Sequence, residues 1–412
     1  MAREMKDSGI EWIGEIPREW DIVSIGRLFC VLAGGDAKPE YYSPVKNEAH
    51  PFPVYTNTMK KDQVYSYTSK PFFRENTITV TGRGAIGIAF FRETPYDAII
   101  RLLSLSPKFN IDGRFYAYWI NSVIHFFSDS AAVGQLSAIQ MAAYKTVYCS
   151  KDEQILISNF LDTQCAHIDS VIEKTRAAIE EYKKLKQSVI TQAVTKGIRP
   201  NREMKDSGIE WVGYMPLEWD SINPKALFSV RKDKAQVGER QLTASQQHGV
   251  IYQDEYMELT GNKVVTVEKD FDILKHVEIG DFVISMRSFQ GGLEYSSKSG
   301  SISSAYVMLI PNHKHVFSRF YRWLLKSSVY IKALQSTTNM VRDGQAMRFA
   351  NFIKVRLISV PMEEQREIAD YLDEKTAAIE SLIQKKEQLI SELEAYKKSL
   401  IYEYVTGKKE VV

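Results

Sequence analysis

A chain of 412 residues with 44% hydrophobic side chains must hold more than one domain and has ample material for buried cores. Its 53 Lys and Arg against 51 Asp and Glu exclude a uniformly basic polyanion binder, so any nucleic-acid contact must be focused locally. Cys30, Cys149 and Cys165 show no CxxC spacing, the start is polar, and no run of about 18 apolar residues occurs; the expectation is a soluble cytoplasmic protein with neither a disulfide framework nor a membrane segment.

Residues 5–21 read MKDSGIEWIGEIPREWD and return at 204–220 as MKDSGIEWVGYMPLEWD, thirteen of seventeen positions identical at a shift of 199. Trp12 and Trp20, with their copies Trp211 and Trp219, read as apolar docking anchors rather than a ligand cage. The variable segment that follows reads as mixed α/β. It carries Asn57, Lys60 and Lys61 in TNTMKKDQ, then TITVTGRGAIGIAFF (77–91), a hairpin around a glycine turn holding Arg83. Gly82, Gly84 and Gly87 satisfy GxGxxG, but a dinucleotide site needs a helix directly after the glycines, and the strand-forming IGIAFF follows instead. FYAYWINSVIHFF (115–127) reads as a short buried helix, and GQLSAIQMA supplies Gln135 and Gln140.

Residues 152–195 have helical periodicity: Ile168, Ile172, Ile179, Tyr182, Leu185 and Val189 recur mostly three, four and seven apart. At a shift of 211 the same pattern returns in 363–406 as Ile379, Ile383, Ile390, Leu393, Tyr396 and Leu400. Gly197 and Gly407 suit C-terminal caps. A helix of roughly 40 residues is about 60 Å long and cannot expose an apolar seam along one side. The economical solution packs the two on each other, antiparallel, because the segment 200–362 can return the chain to the far end; the other arrangement lays each helix on its own domain. Lys174, Lys183, Lys184 and Lys186, like Lys385, Lys386, Lys397 and Lys398, read as solvated faces.

The second variable segment repeats the order of the first, with DFVISMRSFQGGLEYS (281–296) and FYRWLLKSSVYIKAL (320–334), and both pass through a Gly-Gln pair, 134–135 and 344–345. The two segments therefore read as distant copies of one fold, diverged on their loops. Arg231, Lys232 and Lys234, then Arg287 and Gln290, then Arg342, Gln345 and Arg348 lie in its turns. Arg and Lys read guanine, Asn and Gln read adenine, and Lys and Arg hold phosphates, so these residues and those of the first segment are the DNA-contact candidates. Arg83 and Arg287 serve equally well as internal salt-bridge partners. There is no GxxxxGK[ST] loop, no Asn/Asp-Pro-Pro-Tyr/Phe tetrapeptide and no credible catalytic triad. His313 and His315 (HKH) lack companion ligands and read as a surface loop. Catalysis and metal binding are not expected.

DSGIEWIGEIPREWD and its copy DSGIEWVGYMPLEWD resemble the opening of each half of a type I restriction–modification specificity subunit. The junctions KDEQILISNFLD and PMEEQREIADYLD, each entering a long helix that ends LKQSVITQAVTKG or YKKSLIYEYVTGK, resemble the same family. The likeness covers essentially the whole chain, with one departure: Ser150-Lys151 stands where the second junction has Pro361-Met362. The resemblance implies an α+β protein with an internal pseudo-two-fold repeat. Two mixed α/β target recognition domains (1–151 and 200–362) would be separated by two long helices (152–199 and 363–412) packed as an antiparallel coiled coil. It implies a non-catalytic reader of double-stranded DNA, each domain taking one half of a gapped site. Two modification (methyltransferase) subunits would carry S-adenosylmethionine, motor-nuclease restriction subunits would use ATP and Mg, and this chain would hold no cofactor. The rival reading is a coiled-coil scaffold whose inserts bind proteins.

Overall fold

The computed structural model describes residues 3–126, 134–264, 266, 273–285, 288–337 and 347–411. The chain divides into two units, 1–176 with 387–412, and 177–386. Among the described residues no helix is long and apolar enough to cross a membrane.

The first unit opens with a hairpin of Met5–Asp7 and Glu15–Pro17. Its main sheet has four antiparallel strands in the spatial order Phe29–Ala33, Leu103–Pro107, Thr77–Val80, Ala89–Arg92. The last two strands form the expected hairpin, with Thr79 opposite Phe90. The helix Gly113–Ser122 buries Phe115, Tyr116, Trp119 and Ile120, and its N-cap Asp112 accepts from the Arg114 amide at 2.8 Å. A two-stranded ladder, Asp21–Ser24 with Lys145–Tyr148, closes the unit and delivers the chain to a helix spanning Lys151–Lys196.

The second unit repeats this frame. A hairpin of Met204–Asp206 and Tyr214–Pro216 has the same register as the first. The sheet order Phe228–Val230, Val307–Pro311, Phe282–Ile284, Glu294–Tyr295 reproduces the first sheet strand for strand. Asp220–Ile222 pairs with Leu357–Ser359 before the helix Met362–Val405. The stretch 320–334, expected to repeat the order of the first segment with its short helix, forms two helices, Ser318–Leu325 and Ser328–Gln335, and the Ser327 side chain caps the second.

What differs is what hangs on the frame. The first unit adds a four-stranded sheet (Asp97–Ala98, Phe52–Tyr55, Ser66–Thr68, Tyr42–Ser43) with a small core of Phe73, Tyr96, Ala98 and Leu102. The second adds a hairpin, Leu242–Ser245 with Gly249–Tyr252, the helix Gln253–Thr260, and the pair Lys275–Val277 with Gly300–Ile302.

The frames are fastened to their helices by three duplicated devices. Trp20 and Trp219 are fully buried, and each donates its indole N–H at 2.9 Å to a glutamate in the first turn of a long helix, Glu153 and Glu364. Arg3 and Arg202 reach the same glutamates and lie over the same indoles, at 5.2 and 5.7 Å from the ring centroids. The next residue on each helix, Gln154 or Gln365, is also fully buried. Gln154 accepts from the Asp112 amide and donates to the Cys149 carbonyl, both at 2.9 Å. Gln365 accepts from the Phe317 amide and donates to the carbonyls of His315 and Val360. Asp162 takes Arg114 and Tyr118, while Asp373 takes Arg319, Arg322 and Trp323. Burial alone would raise the Asp373 carboxyl; the hydrogen bonds from Arg319 and Trp323 and the charge of Arg322 outweigh it and hold the group below its ordinary value. Gln154→Ala orphans a buried N–H and a buried C=O, so a loss of about 1–3 kcal/mol is expected, read as a lower urea midpoint with unchanged slope.

Trp12 is not an anchor of this kind. It is 46% exposed and lies edge-on to His125, while Trp211 is half-buried and donates to the Arg356 carbonyl. The Ser-Lys departure at the first junction is harmless: the Ser150 carbonyl accepts from the Gln154 amide at 3.0 Å, as that of Pro361 accepts from Gln365 at 2.9 Å.

The two long helices pack together. In the first unit Asp169 pairs with Lys397 at 2.6 Å, Arg176 with Glu394 at 3.0 Å, and Phe160 stacks on Tyr404. In the second, Lys186 pairs with Glu380, Arg199 with Glu367 at 2.9 Å, and Lys386 lies over Tyr182. Of the apolar positions taken from periodicity, Ile168, Ile172, Ile179, Ile379 and Leu400 are buried. Tyr182, Val189, Ile383, Ile390 and Leu393 are half-buried. Leu185 and Tyr396 are 49% and 57% exposed. These two are equivalent under the 211 shift, and their neighbours Lys186 and Lys397 take the inner place. Both lysines are largely covered and pair with an acid on the facing helix, so they do not lie on the solvated faces expected of them. Lys183 and Lys184 do lie on an open face, each paired three residues back.

Candidate nucleic-acid interface

In the first unit the turns at one end of the frame converge. Asn57 uses both ends of its amide internally: its NH2 donates to the Ile100 carbonyl, and its oxygen accepts from the Gly82 amide at 2.8 Å. It therefore ties two loops together rather than presenting a free base-reading edge. Gly84 and Gly87 adopt φ of 77° and 88°, and the strand Ala89–Arg92 follows, so the glycines make a turn and open no helix. A Cβ on Gly82 would lie 2.9 Å from the Arg101 carbonyl. Arg83, on the same turn, is exposed, and its backbone bridges to that of Gln135. Gln135 is half-buried and accepts from Arg101 at 2.8 Å. Gln140 is spent in a capping box with Ser137 at the start of the helix Ala138–Ala143. Lys60 and Lys61 are exposed, the latter 3.9 Å from Glu93, a distance at which a surface pair contributes little.

Ile100 and Arg101 went unremarked in the sequence. Both adopt left-handed φ, 52° and 58°, inside a turn closed by the Leu102 amide on the Ile99 carbonyl. Non-glycine residues held there cost about 1–3 kcal/mol each. The surrounding YDAIIRLLSLS reads as an apolar strand, with no Gly, Asn or Pro to announce a turn.

In the second unit Arg231 is an internal group. It forks onto the buried Asp281 at 2.6 and 2.9 Å and reaches Asp233 at 2.8 Å. The hydrogen bond to Asp281 raises its already high pKa. Lys232 and Lys234 are exposed, Gln290 is 3.4 Å from Gln246, and Arg348 is exposed just before the short helix Phe349–Phe352. Arg287, Arg342 and Gln345 lie outside the described residues. A basic-aromatic cluster missed by sequence reading joins Arg240 and Lys298 over the Tyr252 ring, 3.6 and 4.5 Å from its centroid, with Asp254 and Glu255 as counter-ions. Arg92, also unforeseen, is buried over Tyr55 and donates to Thr79, and burial lowers its pKa. No cluster of His, Cys, Asp and Glu able to hold a metal occurs among the described residues.

The frame, its duplication and its unlike additions can be set beside known proteins. Residues 17–181 and 216–392 both match the type I restriction modification DNA specificity domain. The chain belongs to that family. The two matched segments are its two copies of the specificity domain, and each contains one complete sheet of the duplicated frame. A Mycoplasma pneumoniae protein named for a type I specificity subunit, S.MpnORF89P, is 32% identical over 154 residues, which is 37% of this chain and 45% of that one. The chain thus spans less than half the length of that relative. Two solved structures share the fold. One, from work on complex assembly and conformational transition of the type I R-M system, has a TM-score of 0.69 at 11% identity and covers 96% of this chain and 99% of its own. The other, the HsdS subunit from Thermoanaerobacter tengcongensis, has a TM-score of 0.53 at 10% identity, over 96% and 98%. Trp20, Glu153 and Gln154 lie within the first matched segment and Trp219, Glu364 and Gln365 within the second, whereas Arg3 and Arg202 stand just before them.

Proposed function

We propose that this chain is the DNA-reading specificity subunit of a type I restriction–modification assembly in the cytoplasm. Each specificity domain reads one half of a bipartite, gapped duplex site. The long helices form an antiparallel coiled coil that sets the gap and docks two modification subunits, which bring S-adenosylmethionine and the methyl-transfer chemistry. Motor-nuclease subunits join with ATP and Mg for cleavage. The chain itself performs no chemical step and holds no cofactor. Working boundaries are 1–151 and 200–362 for the readers, 152–199 and 363–412 for the helices.

One observation carries this reading: a frame duplicated down to its buried glutamines bears unlike additions. A selected constant frame with divergent turns suits two readers of different sequences far better than two copies of one site. Ion pairs that run in opposite order along the two helices support the antiparallel coil. Linking two weak readers raises the effective concentration of the second once the first is bound. Co-purified with its modification subunits and presented with randomised duplexes, the chain is expected to direct methylation to a gapped consensus whose binding weakens steeply with salt. Methylation without a consensus, or an ungapped one, would contradict the proposal.

A further inference from the structure

We infer that the Ile99–Leu102 turn of the first unit is a base-reading tip, with Arg101 braced to contact a guanine and Ile100 set beside it to meet a thymine methyl. This rests on the proposed DNA-reading function and names residues that carry it out.

A turn with left-handed φ at both central positions is satisfied without strain by Asn-Gly. This chain places Ile-Arg there instead. The other left-handed non-glycine residues among those described are Asn76 and Asn201, a residue type that tolerates the conformation. A β-branched isoleucine does not. Nor does Ile100 repay the strain by packing, since it is 51% exposed. Half of the Ile100 side chain thus stays in solvent, and the Arg101 side chain hydrogen-bonds to Gln135.

The turn is nevertheless held firmly. The Ile100 amide donates to the Gly35 carbonyl at 3.0 Å, the Gly34 amide donates to the Leu102 carbonyl at 2.8 Å, and the Asn57 side-chain NH2 donates to the Ile100 carbonyl. Gln135 accepts from one terminal nitrogen of Arg101 at 2.8 Å, which tethers that end of the guanidinium and leaves its other donors for a partner. Arg83 lies on the adjoining glycine turn. A tethered fork of donors suits the O6 and N7 of guanine, and an exposed branched alkyl group suits a thymine methyl in the major groove. In the second unit the turn before the equivalent strand is closed by the Tyr306 amide on Ser303 and has no left-handed residue, so the strained tip belongs to what the two readers do differently.

The test uses the full chain with its modification subunits, methylating randomised duplexes that are then sequenced, for wild type, Ile100→Asn/Arg101→Gly and Arg101→Lys. The double variant is expected to melt no lower than wild type, because strain is relieved. It should nevertheless lose about tenfold or more of its preference at one or two base pairs of one half-site, with the other half unchanged. Arg101→Lys should relax the same position, because a point charge cannot replace the fork. An unchanged consensus in the double variant overturns the inference while leaving the proposed function standing. Retention by Arg101→Lys also overturns it, indicating a phosphate contact. A wild type that selects no consensus overturns both.

Discussion

Glu364→Ala is expected to destabilise the second unit by about 3–5 kcal/mol, the range for breaking a buried ion pair by removing one partner. Glu364 is 2% exposed and Arg202 10%, so the arginine would be left with a charge under cover and only Glu218, at 2.9 Å, to answer it. The buried Trp219 indole would lose its acceptor as well. The equivalent Glu153→Ala should cost less, because the Glu153 side chain is 23% exposed and water can replace part of what is lost. Glu364→Gln keeps an acceptor for Trp219 and should recover part of the stability. Urea melts followed by tryptophan fluorescence rank the three. Equal losses for Glu153→Ala and Glu364→Ala would show that burial does not set the cost.

The second large effect concerns spacing. Removing four residues from each long helix at positions 211 apart, 177–180 and 388–391, takes out roughly one turn, or about 6 Å of rise. At about 3.4 Å per base pair the tolerated gap should shorten by roughly two base pairs, with both half-site sequences kept. Sequencing the methylated sites of the variant complex reads this directly. A gap of unchanged length would refute the idea that the helices act as the ruler.

Much of the frame was legible in the sequence because its signals are local or repeated. The 199 and 211 shifts marked the duplicated blocks, helical period marked the long helices, and β-branched residues around glycines marked the hairpin at 77–91. The failures have physical causes. Period alone ranks Leu185 above Lys186, but a lysine can lay its alkyl stem in the seam and send its ammonium to an acid on the facing helix, as Lys186 and Lys397 do. Glu153, Gln154 and Asp162, with their copies, sit in polar helical stretches where nothing in the sequence separates a buried brace from a solvated face.

The candidate interface was less legible than the frame. Residue type nominates Asn57, Gln140 and Arg231, yet these are consumed by a loop tie, a helix cap and an internal ion pair. Whether a polar side chain is free depends on partners distant in sequence. Ile100 and Arg101 were invisible for the opposite reason: their conformation contradicts their composition.

Exchange of the variable segment 22–150 for that of a family member with a different site tests whether each domain reads its own half of the DNA site. The methylated motif of the hybrid is expected to change in one half only, with the other half and the gap preserved. A motif unchanged in both halves, or altered in both, would contradict it.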